Sequence, residues 1–476
     1  MWFLCIIRRL EMLLLLFVLL FDEVKAINKE TKINGKDSLH DGHKKSTYHY
    51  NLRKVYVRNA RKLNASCLDG SDAAFYISRN KRNRNWIIRL QAGGSCVLFS
   101  ECYERRNTAF GSSKYLPQFM TGTFLTSNDA TINPTFHKWN KVYIPYCSGD
   151  LFIGRKQASR HDYGMPMLGH YIVTSIVNQL IQDYKINNKH SKILFGGASA
   201  GGLGMLSNVD YVAKMVKPAK IFGYNDGGWF TLYRNFLEPK GYGSPVFLSS
   251  LHYLFRYLWD GFVDESCRAE MPQPAACLYG EFVIRYLSTP IFVMVSRWDS
   301  YQLKELNNDK YRAVNLPPRT HSETEYLGEF GNNTFRSIRR LIKSKRSGVF
   351  SPACVSHTFA GFNQTEAEIT KNFKIAGVTS YGALSEWYVS RGRKGTYVDA
   401  PSERPYCNPT CCTKFCLRCS KQTVIVVTGV KRNVTPVENR LIELTATTRR
   451  NQASKQRRSM STLLMNVFVI FSLIQW

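Results

Sequence analysis

The segment SKILFGGASAGGLGMLSNVDY, Ser191 to Tyr211, constrains the fold more than any other part of the chain. The apolar run Ile193 to Phe195 predicts a buried strand, and the apolar spacing after Gly202 predicts a helix. Ser199 lies in the glycine-rich turn between them. A strand, a sharp turn with a central serine and a helix are the context of a nucleophile elbow. The segment therefore predicts that Ser199 is a nucleophile, and a plain glycine-rich loop is the alternative.

Strand-like and helical segments alternate on both sides of this elbow. The clearest predicted strands are Ala74–Ile77, Trp86–Leu90, Val142–Tyr146, Ala219–Tyr224 and Pro290–Ser296. Helical spacing covers Leu168–Asp183, and a basic helix is predicted for Asn332–Ser347. This alternation predicts an α/β fold with a mostly parallel sheet and helices on both faces.

The N-terminus and the charge indicate an exported protein. Arg8 and Arg9, the apolar run Leu13–Phe21 and the small residues at Val24–Ala26 form a secretory signal peptide pattern. Of the 13 cysteines, Cys5 lies in that signal, and the even number that remains suits disulfides. Lys and Arg total 65 against 35 Asp and Glu, a net charge of +30 that attracts polyanions. Outside the cell we expect these to be glycosaminoglycans and membrane surfaces rather than nucleic acid.

Composition divides the chain into five parts. They are the signal peptide 1–26, a mobile polar arm 27–56, a catalytic domain 57–400, a cysteine-rich extension 401–430 and a basic tail with a hydrophobic end 431–476. The cysteines of the extension match no standard zinc spacing, so we expect disulfides and no metal. Cys267 and Cys277 are close enough to form a local disulfide. The apolar end, Leu463–Trp476, resembles a lipid-anchor signal that would attach the chain to a membrane; an uncleaved apolar end is the alternative.

Sequons for N-linked glycans occur at four positions. They begin at Asn64, Asn332, Asn363 and Asn433.

An elbow serine needs a base and a group that orients the base. Asp299 and His357 follow strand-like segments in the order serine, acid, histidine that this type of elbow uses. The sheet's carboxyl edge would bring both beside Ser199. We therefore expect His357 to be the base and Asp299 its orienting acid, with no cofactor. Asp226 and His252 are the other candidates.

A glycine pair follows the predicted strand Trp86–Leu90. Gly93 and Gly94 can present backbone N–H groups to an anion, and the N–H of Ala200 follows the nucleophile. We expect these three groups to form an oxyanion hole; a simple turn is the alternative.

Five spaced motifs resemble the Notum/pectin acetylesterase family, and Notum-type carboxylesterases most closely. They are GGASAGGLGMLSNVDY, TGTFLTSN…NP…WNKVYIPYCSGD, DGGWF, WDSYQL and ACVSH, within about Leu63 to Val389. The resemblance implies an α/β-hydrolase fold with the triad Ser199, Asp299 and His357. It also implies a secreted serine esterase that removes palmitoleate from a serine of Wnt proteins and silences their signal. Trp229 and Phe230, in DGGWF, would then line the acyl pocket, and the basic surface would bind heparan sulfate.

One segment departs from the family pattern. The family has E-G-G followed by aromatic residues, whereas this chain has Gln91-Ala92-Gly93-Gly94-Ser95. Two other functions remain open: a carbohydrate O-acetylesterase, and a glycosaminoglycan-binding protein on a non-catalytic hydrolase scaffold.

Overall fold

The computed structural model describes residues 52–159, 163–234, 236, 251–307, 318–360, 372–400, 408–411 and 424–427. The predicted signal peptide, most of the polar arm, most of the cysteine-rich extension and the basic tail lie outside the described residues, as do Asn363 and Asn433.

The secondary structure alternates as the sequence predicts. The strands are β1 Leu52–Tyr56, β2 Ala74–Ser78, β3 Trp86–Leu90, β4 Phe119–Met120, β5 Asn140–Ile144, β6 Lys192–Ala198, β7 Lys220–Asp226, β8 Ile291–Met294, β9 Trp298–Asp299, β10 Gly348–Ser351, β11 Val355–Ser356, β12 Lys374–Ile375, β13 Val378–Thr379, β14 Thr396–Asp399 and β15 Val424–Val427. The α-helices are α1 Phe99–Arg105, α2 Gly169–Tyr184, α3 Ala200–Met215, α4 Glu265–Glu270, α5 Gly280–Val283, α6 Ser300–Asn307, α7 His321–Ser337, α8 Arg339–Ile342 and α9 Ser380–Val389.

One sheet of 11 strands organises the described residues, in the order β15-β14-β10-β8-β7-β6-β3-β5-β2-β1-β4. The central strands β14, β10, β8, β7, β6, β3 and β5 are parallel to one another. The strands at the two edges pair antiparallel. This confirms the predicted α/β fold with a mostly parallel sheet.

Both faces of the central strands are buried, which explains their continuous apolar runs. Successive side chains of a strand point to opposite faces. Ile193 and Phe195 of β6 accordingly join the core that includes α2 and α3, whereas Leu194 joins the core that includes α9. The carboxyl end of β6 is thereby fixed between two packed layers, directly before Ser199.

Two segments outside the expected catalytic domain contribute strands to this sheet. β1 belongs to the segment assigned to the polar arm, and it pairs with β2. β15 belongs to the segment assigned to the cysteine-rich extension, and it pairs with β14. The sheet therefore includes one strand from each of these flanking segments, and the boundaries at 57 and 400 stay a prediction.

Four disulfides link segments of the described residues. Among the described residues they pair Cys67 with Cys147, Cys96 with Cys102, Cys267 with Cys277 and Cys354 with Cys411. The third confirms the predicted local disulfide, and the fourth connects the cysteine-rich extension to the loop before His357. In the described ranges no helix is long and apolar enough to cross a membrane.

Candidate active site

Ser199 occupies the turn between β6 and α3 with a strained backbone. Its φ is 51° and its ψ is −116°, a conformation that non-glycine residues rarely adopt. The neighbouring glycine is required by close packing, because a Cβ at Gly201 would lie 2.4 Å from the carbonyl oxygen of Leu90. The turn therefore has the geometry of a nucleophile elbow and projects a serine that is 4% exposed.

A continuous chain of hydrogen bonds joins the three predicted triad residues. His357 Nε2 lies 2.7 Å from Ser199 Oγ, and His357 Nδ1 lies 2.8 Å from Asp299 Oδ2. The other carboxylate oxygen of Asp299 accepts the backbone N–H of Gln302 at 2.8 Å. Asp299 is 2% exposed, so its charge faces the imidazole and not solvent. With the proton on Nδ1, the imidazole can accept the serine proton at Nε2.

A short parallel strand pair places the acid and the base together. β9 ends at Asp299 and pairs with β11, in which Ser356 lies opposite Asp299. His357 follows directly. Because parallel strands end on the same edge of a sheet, the two side chains emerge side by side, as the sequence argument assumed.

Asp226, the alternative acid, instead anchors the loop that carries the base. Its carboxylate accepts the backbone N–H groups of Phe359 at 2.7 Å and Ala360 at 2.8 Å. Its carbonyl oxygen accepts the N–H of Ser199 at 2.8 Å. Asp226 thus holds the nucleophile and the base loop in one arrangement. The alternative base His252 has no hydrogen bond to Ser199, whose hydroxyl pairs with His357.

The other end of the base loop is anchored separately. Cys354 is disulfide-bonded to Cys411, and the N–H of Ala353 donates to the Asp399 carboxylate at 2.7 Å. Burial raises the pKa of Asp399 from its usual range. Asn408 donates to the same carboxylate at 2.8 Å. His357 therefore lies on a loop that is fixed on both sides.

The glycine pair lies directly beyond β3, next to the elbow. Gly94 has φ 62°, in the left-handed region that favours glycine. The Arg105 guanidinium donates to the carbonyl oxygen of Gly93, and the disulfide Cys96–Cys102 ties the loop to α1. Among the described residues we find no hydrogen bond from the N–H groups of Gly93, Gly94 or Ala200. These groups remain candidates for an oxyanion hole.

The structure separates the two aromatic residues predicted for the acyl pocket. Trp229 is 1% exposed, and its Nε1 donates to Ser337 Oγ at 2.9 Å within the core. Phe230 is only partly buried, and its ring centroid lies 6.2 Å from that of His357. Of these two rings, Trp229 therefore lies within the core and Phe230 faces the base, and their place in an acyl pocket stays a prediction.

Sequence reasoning missed Tyr301. Its ring stacks on His357, with centroids 5.0 Å apart and an angle of 25° between the planes. The signal was its place in WDSYQL, two residues after the predicted acid and in the first turn of a helix. No periodicity argument shows that such a side chain turns back toward a base from another loop.

The two sequons within the described residues differ in exposure. Asn64 is half-buried with φ 58°, and Asn332 is exposed on α7. Both remain candidate glycan sites. No cluster of metal-binding side chains occurs in the described part of the chain.

Comparison with known proteins agrees with this geometry. The model of the pectinacetylesterase family matches residues 45–412. The chain belongs to this family. It is 29% identical over 371 residues to the palmitoleoyl-protein carboxylesterase notum2 of Xenopus laevis, covering 73% of this chain and 72% of that protein. It is 26% identical over 366 residues to pectin acetylesterase 5 of Arabidopsis thaliana, covering 74% of this chain and 83% of that protein.

A solved relative has the same fold. The structure of the Wnt deacylase Notum from Drosophila matches with a TM-score of 0.65 and 25% identity, covering 76% of this chain and 100% of that one. The resemblance seen in the five motifs is confirmed. This member of the pectinacetylesterase family therefore shares its fold with the Drosophila Wnt deacylase Notum.

Proposed function

We propose that this protein is a serine carboxylesterase that acts through Ser199, His357 and Asp299. The observation that carries the proposal is the unbroken hydrogen-bond chain of 2.7 Å and 2.8 Å from the serine hydroxyl to the buried carboxylate. Other buried polar pairs exist in the core, but this one begins at a strained elbow serine. A non-catalytic scaffold has no need for that strain.

The reaction follows from this geometry. Ser199 Oγ attacks the ester carbonyl carbon while His357 Nε2 takes its proton, and Asp299 stabilises the resulting imidazolium. The oxyanion accepts N–H groups of Gly93, Gly94 and Ala200, each contributing about 3 kcal/mol in comparable sites. Collapse of the tetrahedral intermediate breaks the ester C–O bond, and His357 returns the proton to the leaving alcohol. Water then attacks the acyl-enzyme, again with His357 as base, and releases the acid.

We propose that the ester carries palmitoleate on a serine of a Wnt-type protein, and that hydrolysis inhibits the signal. The similarity to palmitoleoyl-protein carboxylesterases supports this substrate. The partly buried ring of Phe230 next to the base supports an apolar acyl group. Each buried CH₂ of a fatty chain contributes about 0.8 kcal/mol, so even a short apolar surface favours a long chain.

A second candidate is a carbohydrate O-acetylesterase. Two observations favour it: Ser95, not an aromatic residue, follows the glycine pair, and Trp229 lies in the core. Both leave less aromatic surface for a long chain. The similarity to plant pectin acetylesterases points the same way.

We also propose an extracellular location and a basic surface that binds heparan-sulfate-like glycosaminoglycans. The disulfides within the described residues support an oxidising compartment. The excess of 65 basic over 35 acidic residues supports the polyanion partner. Attachment to a membrane through the C-terminal tail stays a prediction from the sequence.

Labelling with a fluorophosphonate probe tests the chemistry. Wild-type protein should be labelled, Ser199→Ala should not, and Ser207→Ala should keep the label. Ser207 is a suitable control because it lies on α3 behind the elbow, and its buried hydroxyl has no hydrogen-bond partner among the described residues. A folded wild-type protein that takes no label would favour the glycosaminoglycan-binding scaffold.

Mass spectrometry tests the substrate. A palmitoleoylated Wnt peptide incubated with the wild-type protein should lose the mass of the acyl group, and Ser199→Ala should leave it intact. Rates on p-nitrophenyl acetate and octanoate then separate the two esterases. A strong preference for acetate, with an unchanged peptide, would exclude the fatty-acyl substrate and support the acetylesterase.

A further inference from the structure

The rings of Tyr301, Phe230 and His357 lie together, and they come from three separate segments of the chain. Tyr301 stacks on His357 with centroids 5.0 Å apart. Phe230 lies 6.2 Å from His357 and 6.1 Å from Tyr301. The angles between the three ring planes are 17° to 29°, so the rings are nearly parallel. This arrangement contacts the face of the imidazole, whereas the triad hydrogen bonds use its edge.

Gln302 connects the two segments that carry these aromatic side chains. Its side-chain oxygen accepts the N–H of Thr231 at 3.3 Å, and its side-chain nitrogen donates to the carbonyl oxygen of the same residue. Its own backbone N–H donates to Asp299. Because Phe230 precedes Thr231 and Tyr301 precedes Gln302, this buried amide connects the two ring-bearing loops to the acid. The stack is therefore part of the site's framework.

Tyr301 also reaches the glycine loop. A Cβ on Gly94 would lie 3.2 Å from the Tyr301 hydroxyl oxygen. The tyrosine ring thus spans the space between the base and the loop that carries the candidate oxyanion donors. A side chain here restricts how the imidazole can tilt away from Ser199.

The stack has an electrostatic consequence during the reaction. His357 is neutral before attack and becomes an imidazolium when it takes the serine proton. The face of an aromatic ring attracts a cation that lies within about 6 Å, and a neutral imidazole lacks this attraction. Asp299 faces Nδ1, Ser199 faces Nε2 and Tyr301 faces the ring plane. The tyrosine therefore stabilises the charged state more than the resting state, which is the condition for accelerating a step.

We propose that Tyr301, assisted by Phe230, is a positioning residue for His357 that holds the imidazole plane and favours its imidazolium form. The inference rests on the proposed esterase mechanism. Tyr301 belongs neither to the triad nor to the oxyanion loop. Its role does not depend on the length of the acyl group.

The test compares Tyr301→Leu with Tyr301→Phe. Leucine keeps apolar bulk but has no aromatic face, whereas phenylalanine keeps the face and lacks the hydroxyl. We expect Tyr301→Leu to lower kcat about tenfold on p-nitrophenyl acetate and octanoate alike, with KM within about twofold. We expect Tyr301→Phe to stay within about twofold of the wild type. Tyr388→Leu, in a different aromatic cluster on α9, is the control for loss of a stacked tyrosine.

The pH profile separates this role from simple packing. In Tyr301→Leu the loss of the aromatic face should lower the apparent pKa of the acidic limb of the pH–rate profile by about half a unit. In Tyr301→Phe, which keeps the face, this apparent pKa should be unchanged. A loss confined to octanoate, or one equally large in Tyr301→Phe, would overturn the proposal.

Phe230→Leu and the fluorophosphonate label provide independent controls. If Tyr301→Leu does not fold, Phe230→Leu should show the same downward shift with a smaller loss of kcat, and an unshifted profile there would also overturn the proposal. A wild-type protein that takes no fluorophosphonate label would show that the esterase function itself fails. A labelled wild type with an unaffected Tyr301→Leu would refute only the role of the tyrosine.

Discussion

Two buried aspartates lie beside the base loop, and replacing each by asparagine should have opposite consequences. Asp299 accepts His357 Nδ1 at 2.8 Å and the N–H of Gln302 at 2.8 Å. In Asp299→Asn the amide oxygen can serve only one of these donors. If the oxygen keeps the hydrogen bond from the Gln302 N–H, the amide NH₂ faces Nδ1 of His357. The imidazole then carries its proton on Nε2. Nε2 then cannot accept the proton of Ser199.

The size of this effect follows from the tautomer. In a serine protease triad the corresponding change lowers kcat by about 10⁴, and each tenfold loss corresponds to about 1.4 kcal/mol. We expect Asp299→Asn to lower kcat by about 10³ to 10⁴, which is about 4 to 5.5 kcal/mol of transition-state stabilisation. The free energy of unfolding should fall by only about 1 to 1.5 kcal/mol, since one hydrogen bond to a charged carboxylate is replaced by a neutral one.

Asp226→Asn is the matched comparison. Its carboxylate accepts the N–H groups of Phe359 and Ala360 and is 0% exposed. An asparagine can accept only one of them, which leaves a buried donor facing an NH₂ group. We expect the free energy of unfolding to fall by about 2 to 4 kcal/mol, with a smaller loss of kcat in the folded protein.

Urea unfolding and steady-state kinetics on p-nitrophenyl acetate measure both variants. The assignment would be refuted if Asp299→Asn kept more than a tenth of the activity while folded Asp226→Asn lost a thousandfold. That outcome would make Asp226 the acid that orients the base.

Three further predictions test packing, pH dependence and surface charge. In a thermal unfolding assay, Gly201→Ala should misfold or unfold far more easily than the wild type, because its Cβ would lie 2.4 Å from the Leu90 carbonyl oxygen. In the same assay, Gly328→Ala on α7 should stabilise the protein by about 1 kcal/mol, because nothing lies within 4 Å of the added Cβ. Burial raises the pKa of Asp150 to about 6 against the opposing effect of its three donors, Ser148 and the N–H groups of Phe152 and Gly169. Between about pH 4 and 6 the unfolded chain therefore binds fewer protons at this site than the folded chain. As the pH rises across this window, the free energy of unfolding of the wild type relative to Asp150→Asn should fall by up to about 3 kcal/mol. An increase measured by urea unfolding would contradict the burial effect. The net charge of +30 should retain the protein on heparin, with elution at moderate salt, whereas elution in the void volume at low salt would contradict a polyanion-binding surface.

The sequence predicts most accurately those parts that a short segment determines by itself. β3 has the predicted bounds, Trp86–Leu90, because its apolar residues, interrupted only by Arg89, lie between polar residues. The elbow is also local, since a strand, glycines and a helix are adjacent in the chain. The pairing of Asp299 with His357 is not local. It was predictable because strands that end on one edge of a parallel sheet bring their following residues together.

Two features of the structure were not predicted, one because a local signal was overlooked and the other because a second segment decides the outcome. The predicted basic helix Asn332–Ser347 in fact begins at His321, where Thr320 and Glu323 cap its first turn through reciprocal hydrogen bonds. The T-x-x-E pattern was available as a signal. Trp229 and Phe230 are adjacent and both aromatic, so only the packing of Trp229 against α5 and Ser337 distinguishes them.

The position of the base depends on the nucleophile strand through a single residue. Asp226 is the last residue of β7 and lies opposite Ala198 at the end of β6. Its carbonyl oxygen holds the N–H of Ser199, and its carboxylate holds two N–H groups just beyond His357. The nucleophile and one end of the base loop are therefore held by the same residue, with 2.7 Å between Ser199 Oγ and His357 Nε2. Ser199 and His357 lie 158 residues apart in the sequence, on separate loops. The two hydrogen-bonding groups of Asp226 account for their alignment.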